Sequence, residues 1–265
     1  MTASLQDAVL YQDDFFRQWQ LVPDGSVDLA ICDPPYNVLQ AVHSWDKKID
    51  FAVLSWILSQ LLTPFGQVAL FCSAKMIPEV VSEFGKYFEF RYPEVWHKPS
   101  AMASHKDRPK PDVEFVCVFH RKGTRKQDRI FNWEPVASEG KPYIRRNPNR
   151  KHPNRKTLKR EVDINDSGLR YPSSVVHFPN RPAMTAGEKR LADHPTQKSL
   201  EHMEYLIQLL SIKGQTILAP FMGSGTAIMA AVRTDRRAIG FEIESKYYEM
   251  AKTRLGREVA QRVLL

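Results

Sequence analysis

Cysteine is scarce in this chain. Its 265 residues include three, Cys32, Cys72 and Cys117. They lie far apart with no CxxC pair, which argues against a disulfide scaffold and against a cysteine-rich zinc site. Such usage fits a reducing compartment. Long apolar runs are missing as well. The most apolar stretch, residues 51–62, carries Ser55, Ser59 and Gln60, too short and too polar to span a membrane. No basic segment followed by an apolar one opens the chain; Asp7, Asp13 and Asp14 make its start acidic, so no secretion signal is expected. There is no internal repeat. No complete GxGxxG occurs and no GxxxxGK[ST], which removes the usual dinucleotide and P-loop readings.

What is present is an ordinary globular composition, 43% hydrophobic and 26% charged, enough for a real core. The length allows one large domain, or one core with an insert. Lys and Arg total 38 against 30 Asp and Glu, a net charge of +8. A polyanion is a plausible partner for such a chain. The excess is local. Residues 121–160 hold 14 Lys and Arg against 3 Asp and Glu, a net +11, which leaves −3 for the remainder of the +8 total.

Residues 8–12, 27–32, 67–72, 88–97 and 113–120 read as strands in the first half, and 215–219 and 237–242 in the last third. Between them, residues 51–62, 77–87, 200–212, 225–233 and 245–255 carry apolar residues at helical spacing. Strands alternating with helices imply a mostly parallel α/β sheet covered on both faces, with seven strands. Residues 121–193 differ: rich in Arg, Lys, Asn and Pro, with Phe131, Trp133, Tyr143, Tyr171 and Phe178 interspersed. Two readings stand for this stretch. It is a solvated insert, or a nucleic-acid-binding one in which basic residues meet phosphates and aromatics pack or stack. On the second, Arg145, Arg146, Arg150, Lys151, Arg155 and Lys156 are the candidate DNA contacts.

Two turns that follow strands carry the chemistry. Asp33-Pro34-Pro35-Tyr36-Asn37 follows residues 27–32, and Phe221-Met222-Gly223-Ser224-Gly225-Thr226 follows 215–219. In open α/β sheets ligands bind at the carboxyl ends of strands, where the winding reverses. Gly223 and Gly225 permit close backbone approach, and the helix beginning there offers free N–H groups. Glu242, at the end of the next strand, suits a ribose diol. In the first turn two prolines stiffen the backbone. They hold two acceptors, the Asp33 carboxylate and the Pro34 carbonyl, beside the ring of Tyr36. That set fits a planar amine: the acceptors take its N–H protons and the ring stacks on its face. The alternative is a proline turn that caps a strand, with Tyr36 as packing. No cysteine follows a proline, which disfavours carbon-5 cytosine chemistry through a thiol nucleophile. His97, His105 and His120 are scattered and read as surface or packing residues rather than metal ligands.

The order of motifs resembles the beta class of amino-DNA methyltransferases. It runs Asp33-Pro34-Pro35-Tyr36, a basic middle, His194-Pro195-Thr196-Gln197-Lys198, Ala219-Pro220-Phe221-Met222-Gly223-Ser224-Gly225-Thr226, then Gly240-Phe241-Glu242. These are bacterial and phage enzymes that methylate adenine N6 or cytosine N4 with S-adenosylmethionine. The resemblance implies a circularly permuted, Rossmann-like seven-stranded sheet. Its catalytic half would be residues 1–120, a target-recognition insert 121–193, and its cofactor half 194–265. It implies that Asp33, Pro34, Pro35 and Tyr36 form the base pocket. It implies that Phe221, Gly223, Ser224, Gly225 and Thr226 bind the methionine part of the cofactor, and Glu242 its ribose. Asp14, His194, Thr196 and Lys198 would line the same pocket, as would Asp33. Asp at the head of the proline turn leans towards adenine N6 in double-stranded DNA. Cytosine N4, RNA adenine, and DNA binding with little transfer are the alternatives. Family members often dimerise, often belong to restriction-modification systems, and act on nucleoid DNA in the cytoplasm. One position departs from the pattern. The glycine motif usually opens with Asp, and Ala219 stands there. A lost charge-assisted bond to the cofactor's ammonium costs about 1.5–3 kcal/mol, unless Asp33 across the crevice substitutes.

Overall fold

In a computed structural model the chain is described over residues 2–5, 7–36, 47–99, 107, 109–146, 162–179 and 196–263. The first half holds β1 (Thr2–Leu5), β2 (Ala8–Gln12), α1 (Phe15–Gln18), β3 (Val27–Cys32), α2 (Phe51–Leu61), β4 (Leu62–Cys72), α3 (Ile77–Phe84), β5 (Phe88–His97) and β6 (Val113–Arg121). Five short strands follow: β7 (Ser138–Glu139), β8 (Tyr143–Arg146), β9 (Val162–Asn165), β10 (Leu169–Arg170) and β11 (Val175–His177). The last part holds α4 (Leu200–Leu210), β12 (Thr216–Ala219), α5 (Thr226–Arg233), β13 (Arg237–Glu242) and α6 (Ser245–Val263).

Nine strands make one sheet in the order β1-β2-β13-β12-β3-β4-β6-β5-β11. Neighbours from β2 through β4 are parallel, and β6 runs antiparallel to β4 and β5. The seven strands expected from the sequence form the middle of this sheet. The count is corrected at both edges, where β1 pairs antiparallel with β2 and β11 pairs parallel with β5. At four and three residues these edge strands are too short to show a period of two.

The winding reverses between β3 and β12. From β3 the chain passes through α2 to β4 on one side; from β12 it passes through α5 to β13 on the other. The two strands are direct neighbours, with Leu29 opposite Ile217 and Ala30 opposite Leu218. Early β3 and late β12 thus meet at the centre, in the permuted order that the resemblance implies.

Alternation along the strands divides the core into two. Leu29, Ile31, Ala69, Phe71 and Val118 pack with Leu206, Ile207, Ile228 and Tyr248 from α4, α5 and α6. Ala30, Cys32, Val68, Leu70 and Phe119 pack with Leu54, Ile57, Leu58 and Phe84 from α2 and α3. Both faces are covered, so the strands read as nearly continuous apolar runs. At the head of α2 the Asp50 carboxylate accepts from the N–H groups of Ala52 and Val53. The segment after β6 is tied to the core. Gln67 donates to the carbonyls of Ile130 and Leu210, and Asn132 N–H donates to the Leu209 carbonyl. Among the described residues no helix is long and apolar enough to cross a membrane.

Candidate active site

Both motif turns leave the carboxyl ends of the adjacent strands β3 and β12. They enclose a cleft of about 1090 Å³, at the upper end of the range for small-molecule sites. Asp33, Pro34, Pro35 and Tyr36 line it from one side. Phe221, Gly223, Ser224, Thr226 and Glu242 line it from the other, and Thr196 and Lys198 complete it. Residues more than 180 positions apart in the sequence are thus brought together by a single strand pairing.

On the proline-turn side the cleft is built around charge. Lys198 Nζ lies 2.9 Å from Asp33 Oδ1 and 3.5 Å from Glu114 Oε2. Lys98 Nζ lies 2.7 Å from Glu114 Oε1. The rings of Tyr36, Phe71 and Trp96 surround the Lys198 ammonium, with centroids at 5.4, 5.2 and 6.0 Å. Burial pushes the Asp33 carboxyl above the ordinary carboxylate range, and the Lys198 charge works against that rise. Burial would also raise Glu114, but Lys198 and Lys98 together hold it below its ordinary value. Burial would lower Lys198; the carboxylates of Asp33 and Glu114 outweigh it and keep the ammonium charged. Two carboxylates and two ammoniums therefore balance in a poorly solvated corner. Tyr36 points its hydroxyl inward, where it finds no partner among the described residues, so its ring is what it offers to a ligand.

The glycine-turn side is built from backbone. Gly223 and Gly225 have φ of 54° and 81°, conformations that favour glycine. Gly223 N–H donates to Glu242 Oε2 at 2.9 Å, and Glu244 N–H donates to Oε1 at 2.8 Å. Despite these bonds, burial pushes the Glu242 carboxyl up to about 7. Arg254 of α6 braces the turn: its Nη1 donates to the Ser224 carbonyl at 2.7 Å and to Thr226 Oγ1 at 3.2 Å. Gly225 does not line the cleft. A Cβ there would stand 2.8 Å from the Ala251 Cβ, so this glycine admits α6 against the turn. Asp14 lines the cleft beside Asp13, and its Oδ1 accepts from Phe16 N–H at 2.9 Å as the cap of α1. Phe15 and Phe16 of that helix meet Phe221 at 6.4 and 6.1 Å. Ala219, also on the cleft wall, is buried and brings no carboxylate. One oxygen of Asp33, the residue able to replace it, is already held by Lys198.

His194, Arg150, Lys151, Arg155 and Lys156 lie outside the described residues, as does His105. Arg145 and Arg146 close β8, which pairs with β9 away from the main sheet. His120 pairs with Glu89 at 2.9 Å, and His97 Nδ1 faces His177 Nδ1 at 3.0 Å. Sequence reasoning misses Glu114, Trp96 and the inward role of Lys98. Their signal is faint: Glu114 is the one acid inside the apolar run Val113–Arg121, and a charge in a buried strand needs a partner.

The family described as DNA methylase, of the N6/N4 type, matches residues 27–253. The chain is similar to the type II methyltransferase M.HpaI of Haemophilus parainfluenzae, 27% identical, with 89% of this chain and 70% of that protein covered. It is also similar to the DNA adenine methyltransferase YhdJ of Escherichia coli strain K12, 26% identical, with 91% and 80% covered. Among solved structures it resembles the complex of M1.HpyAVI with SAM, at a TM-score of 0.60 and 25% identity, over 92% of this chain and 98% of that one.

Proposed function

The chain belongs to the family of N6/N4 DNA methyltransferases, whose methyl donor is S-adenosylmethionine, and from that premise we propose that its target is the N6 amine of adenine in double-stranded DNA. The observation that carries this reading is the single cleft in which Asp33, Pro34 and Tyr36 face the glycine turn and Glu242. Asp at the head of the proline turn supports adenine, as does the likeness to a relative named as an adenine enzyme.

The residues present fit the donor. Glu242 spends one acceptor site of each oxygen on backbone N–H groups and keeps lone pairs for the hydroxyls of a ribose. Phe221, Ser224, Thr226 and Thr196 line the methionine side. Bound there, S-adenosylmethionine supplies an electrophilic methyl on its sulfonium. Without the carboxylate that usually stands at the position of Ala219, the cofactor's ammonium end loses one charge-assisted contact.

The base comes from the other side of the cleft. An adenine inside a duplex cannot reach Asp33, so it is flipped out of the stack. Tyr36 takes its face. The Asp33 carboxylate and Pro34 carbonyl accept the two N–H bonds of the amine. The amine lone pair is delocalised into the ring and weakly nucleophilic; these acceptors draw the nitrogen towards a tetrahedral shape and free that pair. As the nitrogen gained the methyl, the methyl's bond to sulfur would break and leave a neutral thioether; the nitrogen would become cationic and shed one proton, and the Asp33 carboxylate is the group placed to receive it. No covalent enzyme intermediate forms. Rate gain comes from positioning and from a fixed negative charge where positive charge develops.

Nucleoside analysis of DNA methylated by the purified protein tests the base, with N6-methyladenine as the expected product. N4-methylcytosine in its place overturns the adenine assignment and leaves the family standing. Asp33→Ala is expected to slow transfer by at least about a hundredfold with cofactor binding retained.

A further inference from the structure

We propose that Lys198 is a positioning residue for methyl transfer: its ammonium, set between Asp33 and Glu114, holds the Asp33 carboxylate as an oriented anion facing the target amine. The inference rests on the reading of Asp33 as the amine's acceptor. It gives Lys198 a role different from cofactor binding, because its charge is committed to the base side of the cleft.

The geometry is asymmetric. Lys198 sits nearer Asp33, at 2.9 Å, than Glu114, at 3.5 Å. Glu114 has a second cation, Lys98, at 2.7 Å. Among the described residues Asp33 has no other ion-pair partner. Lys47, Lys48 and Arg17 also line the cleft, but none forms an ion pair with Asp33; Lys48 and Arg17 pair with Glu79 and Asp14. The ammonium is buried within three aromatic rings, so it has one position, and the carboxylate it holds is fixed with it. The remaining groups around Asp33 give it no charge support. Cys32 and Tyr36 are pushed up by burial and stay neutral, while Asp13, Asp14 and Glu242 on the far wall are acidic.

Removing Lys198 leaves two half-buried carboxylates facing each other. Like charges in a poorly solvated site cannot both ionise near neutrality, so one takes a proton. Glu114 keeps Lys98, and the proton goes to Asp33. A protonated Asp33 no longer offers negative charge to an amine that becomes cationic. The loss is reversible with pH, and that separates positioning from a merely structural role.

The test uses the full-length protein with unmethylated bacterial genomic DNA and saturating labelled S-adenosylmethionine. Rates are followed from about pH 5.5 to 9.5, for wild type, Lys198→Met, Lys198→Arg, Glu114→Gln and Asp33→Ala. Lys198→Met is expected to bind the cofactor and to be slower by roughly tenfold or more at neutral pH. Its acid limb moves up by about one to three pH units, with activity recovering as pH rises. Lys198→Arg restores the limb. Glu114→Gln, which removes the competing carboxylate, moves it down, and this variant carries the test should Lys198→Met fail to fold. An acid limb that stays at the wild-type position in these variants overturns the proposal. Asp33→Ala separates the two levels. If it retains full activity, the reading of Asp33 fails. If it is inactive while the limbs do not move, only the role of Lys198 fails.

Discussion

Glu242 shows how a single carboxyl ties stability to function. Burial lifts it from an ordinary value of 4.5 to about 7, although the backbone N–H groups of Glu244, Gly223 and Ile243 favour its charged form. The folded state therefore holds a proton that the unfolded chain has released. As pH climbs from about 4.5 towards about 7, the free protein loses the stability linked to this group, and the loss levels off above that window. With Glu242 as the proposed ribose ligand, cofactor binding has the opposite slope, since ribose hydroxyls would donate to an ionised carboxylate. Calorimetric titration with S-adenosylmethionine is expected to show affinity rising with pH below about 7, by at most about tenfold per unit, and Glu242→Gln to flatten that dependence. Equal slopes in both proteins would remove Glu242 from the ribose site. This residue is legible in sequence because it ends a strand next to a glycine turn. Glu114 and Lys98 are not. Their meeting needs the antiparallel register of β5 and β6, which sets Trp96 opposite Glu114, and no local pattern encodes a register.

Elements are more legible than side-chain pairs. The parallel strands are buried on both faces, so each is an apolar run bounded by turn residues, and β2, β3, β5 and β13 begin and end where the sequence places them. Boundaries shift where pairing overrides local signals. Strand β4 starts at Leu62, through Thr63, Pro64 and Gly66, because Leu62 pairs with Val27 before the register jumps to Leu29 opposite Gln67. Helix α6 runs on to Val263, past the last apolar position of its sequence pattern. The glycine turn between β12 and α5 is the element-scale test. Gly225→Ala forces a side chain into positive φ, costing about 1–2 kcal/mol, and presses a methyl against Ala251 of α6 at 2.8 Å. Urea unfolding is expected to report a loss above about 2 kcal/mol. Asp50→Ala, which removes only the cap of α2, costs about 1 kcal/mol. If Gly225→Ala were no worse than Asp50→Ala, close packing of α6 on the turn would not be what this glycine provides.

At the scale of the whole molecule the two sources of affinity for DNA separate. The net +8 is the sum of a +11 stretch at residues 121–160 and a remainder of −3. The proline-turn side of the cleft balances its own charges, with Lys98 and Lys198 set against Asp33 and Glu114, so on the proposed reading it offers a flipped base shape and hydrogen bonds rather than net attraction. On the proposed reading, attraction to phosphate falls to the basic stretch. The end of the same insert, beyond that stretch, is joined to the cleft through the core: β11 extends the sheet beside β5, and the Trp96 indole N–H donates to the Phe178 carbonyl at 2.9 Å. The same Trp96 packs beside the Lys198 ammonium. Each phosphate contact releases counterions and adds about 0.9 to the slope of log affinity against log salt. Replacing Arg145, Arg146, Arg150, Lys151, Arg155 and Lys156 together by Gln is therefore expected to reduce that slope by up to about 5. It should weaken DNA binding most at low salt and leave the affinity for S-adenosylmethionine unchanged. Fluorescence anisotropy on a duplex across a salt series measures it. A slope equal to that of the wild type would place the phosphate-contacting surface elsewhere, with Lys106, Arg108 and Lys110 between β5 and β6 the next to neutralise.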